Sequence, residues 1–126
     1  MKNHRLARFI RRGGIIAYPT ESCFGLGCDP KNKQAINKII KLKKRSRIKN
    51  FILIGSSIKQ FDNFIGPLNV ATQKKLFSKW PGPHTWLINV NNRCPNWLKS
   101  NSKIALRIPS FSKCQDLARS IDMAIT

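Results

Sequence analysis

An α/β domain built on an open, twisted mixed sheet with flanking helices is the fold this sequence predicts. Three observations point there. Short apolar runs at residues 15–18, 51–54, 86–90 and 103–108 read as buried strands. The segments between them carry apolar residues at helical spacing, the alternation expected of an α/β chain. The length, 126 residues, is that of one ordinary domain, so residues 1–126 are read as a single domain with room for a true core.

The elements follow in order. Residues 2–12 read as an amphipathic helix, with Leu6, Phe9 and Ile10 on one side at i, i+3, i+4 spacing and Gly13-Gly14 ending it. Ile15 to Tyr18 is the first strand, stopped by Pro19, and Thr20 to Cys28 reads as a loop containing Gly25 and Gly27. Asp29-Pro30 predicts a helix start, an acceptor followed by proline at the first helical position. That helix carries Ala35, Ile36, Ile39, Ile40 and Leu42 and runs to about residue 44. Phe51 to Gly55 is the second strand, and Ser56 or Ser57 caps a short helix ending at Phe61. Residues 69–79 read as a helix with Val70, Leu76 and Phe77 inward, broken by Pro81-Gly82-Pro83. Trp86 to Val90 and Lys103 to Ile108 are the third and fourth strands, separated by a turn or a single helical turn at residues 95–98. Residues 112–121 form a last helix, and Asp122 to Thr126 open a further strand.

Charge narrows the function. Lys and Arg total 24 against 5 Asp and Glu, a net charge of +19 and a pI near 10.8. Such a chain repels itself, and anionic partners such as nucleic acid, nucleotides or other phosphates would relieve the repulsion. A bias toward Asn, Lys and Ile also arises by drift in AT-rich genomes, so the charge has two open explanations. The 4 cysteines, at positions 23, 28, 94 and 114, include no Cys-x2-Cys pair, which argues against a zinc site and against a disulfide scaffold. Small thiols in a reducing cytosol fit them better, and a cytoplasmic location is expected. No apolar run reaches the roughly 18 residues of a membrane span. The basic N-terminus lacks the apolar core and cleavage site of a secretory signal.

Four segments could carry chemistry. Tyr18-Pro19-Thr20-Glu21-Ser22-Cys23-Phe24-Gly25-Leu26-Gly27 places two hydroxyls and two glycines between a strand and a helix start, where anions bind. Gly-x-Gly alone is weak, and glycines supplying unusual dihedrals would explain it equally. Residues 43–49 hold five cations, Lys43, Lys44, Arg45, Arg47 and Lys49, which suit phosphates or simply a solvated helix end. Trp80-Pro81-Gly82-Pro83-His84-Thr85 is a rigid turn. Lys103 and Arg107 lie four apart on one strand and share a face, with Ile104, Leu106 and Ile108 on the other. No Ser-His-Asp set, His-Glu-x2-His motif or carboxylate pair is present, so no catalytic side chain and no metal ligand is assigned.

Taken together these segments resemble the YrdC family, and within it the bacterial threonylcarbamoyl-AMP synthases. The likeness is collinear: Tyr18 to Pro30, Leu42-Lys43-Lys44-Arg45, Phe51-Ile52-Leu53-Ile54, Trp80-Pro81-Gly82-Pro83-x-Thr85 and Ala105-Leu106-Arg107-Ile108. It implies that L-threonine and bicarbonate form a carbamate that attacks the α-phosphate of ATP, giving threonylcarbamoyl-AMP and pyrophosphate. Mg2+ would accompany the nucleotide. Partner proteins would pass the group to tRNA, and RNA itself is a further partner, through the basic cavity of the family fold. The resemblance assigns Lys43, Arg45, Lys49 and Lys103 to ATP and Ser22, Thr20 and Arg107 to threonine. Ser46 stands where proline usually follows the arginine, and Ile54 where some members have histidine. The family's Ser-Thr-Ser-Ala-Asn segment is expected to begin near Thr126, so the likeness covers about the first two-thirds of a family domain, without its C-terminal strands. Either a longer protein continues beyond it or the product is naturally shortened, and turnover by residues 1–126 is expected to suffer more than ATP contact. A non-catalytic basic RNA-binding module, or a decayed remnant of the enzyme, is the alternative reading.

Overall fold

A computed structural model describes residues 2–19, 24–43, 51–121 and 123–126. It contains α1 (His4–Arg11), β1 (Ile16–Pro19), β2 (Phe24–Gly27), α2 (Lys33–Lys43), β3 (Ile52–Ile54), α3 (Val70–Phe77), β4 (Trp86–Asn89), β5 (Lys103–Arg107) and α4 (Ser112–Ile121). Single 3-10 turns lie at Ile58–Phe61 and Asn96–Leu98. β1 and β2 form an antiparallel hairpin, while β3, β5 and β4 form a mixed sheet in that order, parallel for β3–β5 and antiparallel for β5–β4. The predicted α/β architecture is therefore present.

The register sorts the mixed sheet into two faces. Leu53, Leu106 and Trp86 form one cross-strand row, and Ile104 and Ile88 another; these side chains pack into the larger core with Ala35, Ile36 and Ile39 of α2 and with Phe61 and Leu76. The other face presents Ile52, Ala105 and Leu87 in one row and Ile54 and Arg107 in the next. A second core gathers Ala7 and Ile10 of α1, Tyr18, Cys114 and Ile121 of α4, and Ile125.

The two sheets are joined by the last residues. Ile54 and Ile125 exchange both backbone hydrogen bonds, at 2.7 and 3.0 Å, and the Thr126 N–H donates to the Cys28 carbonyl at 3.3 Å. Residues 124–126 thus lie between β3 and the end of β2, all buried, with Ile125 fully enclosed. Of the strand expected over residues 122–126, the described residues 123–126 show a single antiparallel bridge, Ile54 to Ile125.

Several expectations change. The expected loop over residues 20–28 holds a strand, β2, across residues 24–27. Neither Gly25 nor Gly27 has a positive φ; the Tyr18 ring lies across both, and a β-carbon at Gly27 would sit 2.8 Å from it. Two glycines depress strand propensity, which hid the strand. α2 starts at Lys33 rather than Pro30: Asn32 caps it, accepting from the Ala35 N–H at 3.0 Å, while Asp29 turns back to the Lys31 N–H at 2.9 Å. Gln60, not a serine, braces the start of the first 3-10 turn, accepting from the Ser56 N–H at 2.8 Å. Val70 and Phe77, expected inward on α3, are 68% and 48% exposed, and Leu76 alone of the three is buried. Phe77 instead meets the Trp80 ring edge-on at 6.5 Å. Phe9 is 52% exposed, and Leu6, Ala7 and Ile10 form the inward side of α1.

Cutting Ile125 to alanine would leave a cavity where the two sheets meet. Ile125→Ala is expected to lower stability by about 2–5 kcal/mol, read from urea denaturation midpoints; a loss well under 1 kcal/mol would show that the bridge is dispensable.

Candidate functional site

β5 delivers Arg107 to the open face of the sheet. Its neighbours across the ladder are Thr85 next to β4 and Ile54 in β3, and its Nε–H donates to Thr85 Oγ1 at 3.0 Å. The turn before β4 explains why Thr85 is there. The Trp80 Nε1–H donates to the His84 carbonyl at 2.8 Å, and the Gly82 N–H donates to the Ile108 carbonyl at 2.9 Å, so the turn is pinned at both ends. A β-carbon at Gly82 would sit 2.6 Å from the Lys79 carbonyl oxygen, which requires glycine there. Trp80 is buried against Phe61, with centroids 6.1 Å apart. The Trp-Pro-Gly-Pro segment therefore acts as a bracket for Thr85, and Thr85 orients the guanidinium. Thr85 is the site residue that sequence reasoning left unassigned; only its fixed distance from the Trp80 bracket signalled it.

Tyr18 closes another side. Its ring covers Gly25 and Gly27, and the Thr126 carbonyl oxygen lies 3.1 Å from where a Gly27 β-carbon would be. Cys114 of α4 donates its S–H to the Pro19 carbonyl at 2.9 Å, tying that helix to the end of β1. Burial pushes the Tyr18 phenol up to about 12, aided by Cys114 and Cys28 and opposed by the positive charge of Arg107. Burial, and then the Asp29 carboxylate, push the Cys28 thiol up to about 12, so it behaves as an inert apolar group. The Thr126 hydroxyl is buried without a hydrogen-bond partner among the described residues, in contrast to most buried polar groups.

Lys103 shares the face of Arg107, as its spacing predicts, but stands at the start of β5. Four residues of extended chain separate the two by about 13 Å, too far to hold one small anion between them. Lys103 lies opposite Asn89 and lines a groove with Lys75, Thr72 and Trp86. Because β5 runs parallel to β3, Lys103 is at the end of the sheet where β3 begins, directly after the basic segment. Lys43 is the last residue of α2. Thr20, Ser22, Arg45 and Lys49 lie outside the described residues.

The Sua5/YciO/YrdC family model, described as "Telomere recombination", matches residues 8–126. The chain belongs to this family. A threonylcarbamoyl-AMP synthase of Methylobacillus flagellatus is 40% identical over 126 residues, which cover 99% of this chain and 70% of that one. A threonylcarbamoyl-AMP synthase of Nitrosococcus oceani is 43% identical over 120 residues, covering 94% and 65%. The chain thus spans roughly two thirds of the length of these curated family relatives. Among solved structures, P. abyssi Sua5 complexed with L-threonine superposes with a TM-score of 0.83 at 24% identity, covering 97% of this chain and 36% of that one. E. coli YciO gives a TM-score of 0.78 at 25% identity, covering 97% and 60%. These neighbours share the fold.

The chain has one tyrosine, so its ionisation can be read without ambiguity. The phenol is expected to titrate near pH 12 by ultraviolet absorbance rather than at its ordinary 10. Burial keeps the phenol neutral in the folded state, so its support for folding is complete below about pH 10 and is lost as pH rises toward 12. Titration at 10 in the folded protein would mean that the ring is not enclosed.

Proposed function

We propose that this chain forms the substrate-binding part of a threonylcarbamoyl-AMP synthase, a nucleotidyltransferase that converts L-threonine, bicarbonate and ATP to threonylcarbamoyl-AMP and pyrophosphate. Identities of about 40% to family members of that name support the reading. The observation that carries it in this chain is Arg107, half-buried on the sheet face and held through Nε by Thr85. A guanidinium with a fixed plane suits a carboxylate, which it can grip with two parallel N–H bonds. The amino-acid carboxylate of threonine is the ligand we assign to it. Tyr18 supplies the apolar wall beside it, and Thr20 and Ser22 are assigned to the same substrate.

Lys43, Arg45, Lys49 and Lys103 are assigned to the phosphates of ATP. Lys103 stands at the end of the mixed sheet where β3 begins, which supports grouping it with the basic residues that precede β3 in the sequence. In the reaction, a carbamate oxygen attacks the α-phosphorus and pyrophosphate leaves. Cations positioned at the phosphates stabilise the charge that shifts onto the leaving group. No group of three His, Cys, Asp or Glu side chains among the described residues is arranged to hold a metal ion. Mg2+ would accompany the nucleotide, held mainly by its phosphates and water. The product is an activated acyl adenylate destined for tRNA by way of partner proteins, a cytoplasmic task. No helix among the described residues is long and apolar enough to cross a membrane.

Calorimetry tests the two halves separately. Arg107→Ala is expected to weaken threonine binding by roughly 1.5–3 kcal/mol, the worth of hydrogen bonds to a charged group, with ATP-analogue binding little changed. Arg45→Ala is expected to do the reverse. Unchanged threonine affinity in Arg107→Ala would overturn its assignment. Pyrophosphate release from ATP that requires both threonine and bicarbonate checks the reaction.

A further inference from the structure

We propose that a groove beside α1, away from the Arg107 site, binds an unpaired segment of nucleic acid. The groove has a volume of about 520 Å³ and is lined by Arg5, Arg8 and Phe9 of α1, by Arg12 at its C-cap, by Gly14, and by Lys38 of α2. None of its described lining residues is acidic. Arg5 and Phe9 are four apart on the helix, as are Arg8 and Arg12, so the three arginines and the ring form one continuous stripe. Lys38 faces them from the neighbouring helix. Four cations gathered without a carboxylate repel one another until an anion lies between them.

Phe9 decides what kind of anion. Its ring is 52% exposed within this basic stripe. A β-carbon at Gly14 would fall 2.3 Å from the ring, so the ring lies directly over that glycine. The Gly14 N–H donates to the Phe9 carbonyl at 2.9 Å, which holds the turn beneath it. The result is a backed aromatic surface bordered by cations. Single-stranded nucleic acid matches both features: its phosphates meet the arginines and an exposed base stacks on the ring. A membrane surface matches less well, because Ala7 and Ile10, the buried apolar residues of α1, already pack into the second core and leave no lipid-facing stripe. The groove borders the Ile15 end of β1, opposite the Pro19 end, where β1 pairs with Phe24 of β2.

Fluorescence anisotropy of a labelled single-stranded RNA, with a DNA of the same sequence, a duplex, inorganic polyphosphate and anionic vesicles as comparisons, tests the proposal. The triple variant Arg5→Gln, Arg8→Gln, Arg12→Gln is expected to lose at least tenfold in RNA affinity. Its slope of log affinity against log salt should be shallower by about 2, at about 0.7 for each phosphate contact removed from a single strand. Phe9→Leu retains apolar cover over Gly14 but has no π face. It is expected to weaken RNA binding at least fivefold while leaving the salt slope and polyphosphate binding unchanged, and Phe9→Trp should restore the affinity. Equal affinity for the DNA strand is also expected, since stacking and phosphate contacts are shared. Wild-type affinity in the triple variant or in Phe9→Leu would overturn the proposal. So would tighter binding of the duplex or of vesicles than of the single strand.

Discussion

The short stretch Ala124–Thr126 holds this fold together. Among the described residues, the two small sheets, a hairpin of two strands and a mixed sheet of three, have no direct ladder between them. Ile125 pairs with Ile54 on one side, and the Thr126 N–H reaches the Cys28 carbonyl on the other. Each bond alone contributes modestly, about 1 kcal/mol net. Their position matters more, because the same residues are buried and fill the junction between the two cores. Had they been elsewhere, the edge of β3 and the end of β2 would need other partners for buried backbone groups.

The site depends on that junction and on places where a side chain is missing. Tyr18 can lie flat across β2 only because Gly25 and Gly27 have no β-carbon. Thr85 reaches Arg107 because the preceding turn folds tightly at Gly82, which has no space for one. At both places the missing β-carbon of glycine permits a close approach that holds a side chain elsewhere in position. Rigid backbone thus preorganises Arg107 and Tyr18, as the proposed recognition of a small charged substrate would require.

The large positive charge is distributed with some order. Arg107 stands on the open face of the mixed sheet, and Lys103 stands on that face where the sheet begins. Arg5, Arg8 and Arg12 lie in a separate groove with Phe9. Elsewhere, cations rest over aromatic rings: Lys33 over Trp97 at 6.0 Å and Lys75 over Trp86 at 5.9 Å. Such contacts stabilise exposed ammonium groups by roughly 0.5–1 kcal/mol and neutralise nothing. Genome drift explains scattered lysines well. It explains less well three arginines on one stripe around an exposed aromatic ring.

The sequence by itself determined the elements whose signals are local. Helical periodicity placed α2 and α4, the apolar runs placed β1, β3, β4 and β5, and the collinear segments from Tyr18 to Ile108 pointed to the family to which the chain belongs. The spacing of Lys103 and Arg107 put both on one face, as the register shows. For Thr20, Ser22, Arg45 and Lys49, which lie outside the described residues, the assignment still rests on resemblance. Tertiary structure decided what depends on close approach between distant segments. β2 was invisible because its glycines answer to a tyrosine on the paired strand β1, and the roles of Thr85 and Gly82 emerge only when β4 meets β5. Phe9, Val70 and Phe77 left their expected inward positions because an apolar side chain goes inward only where a neighbouring element supplies a surface. Sequence records which residues can be buried; the packing of one element on another settles which of them are.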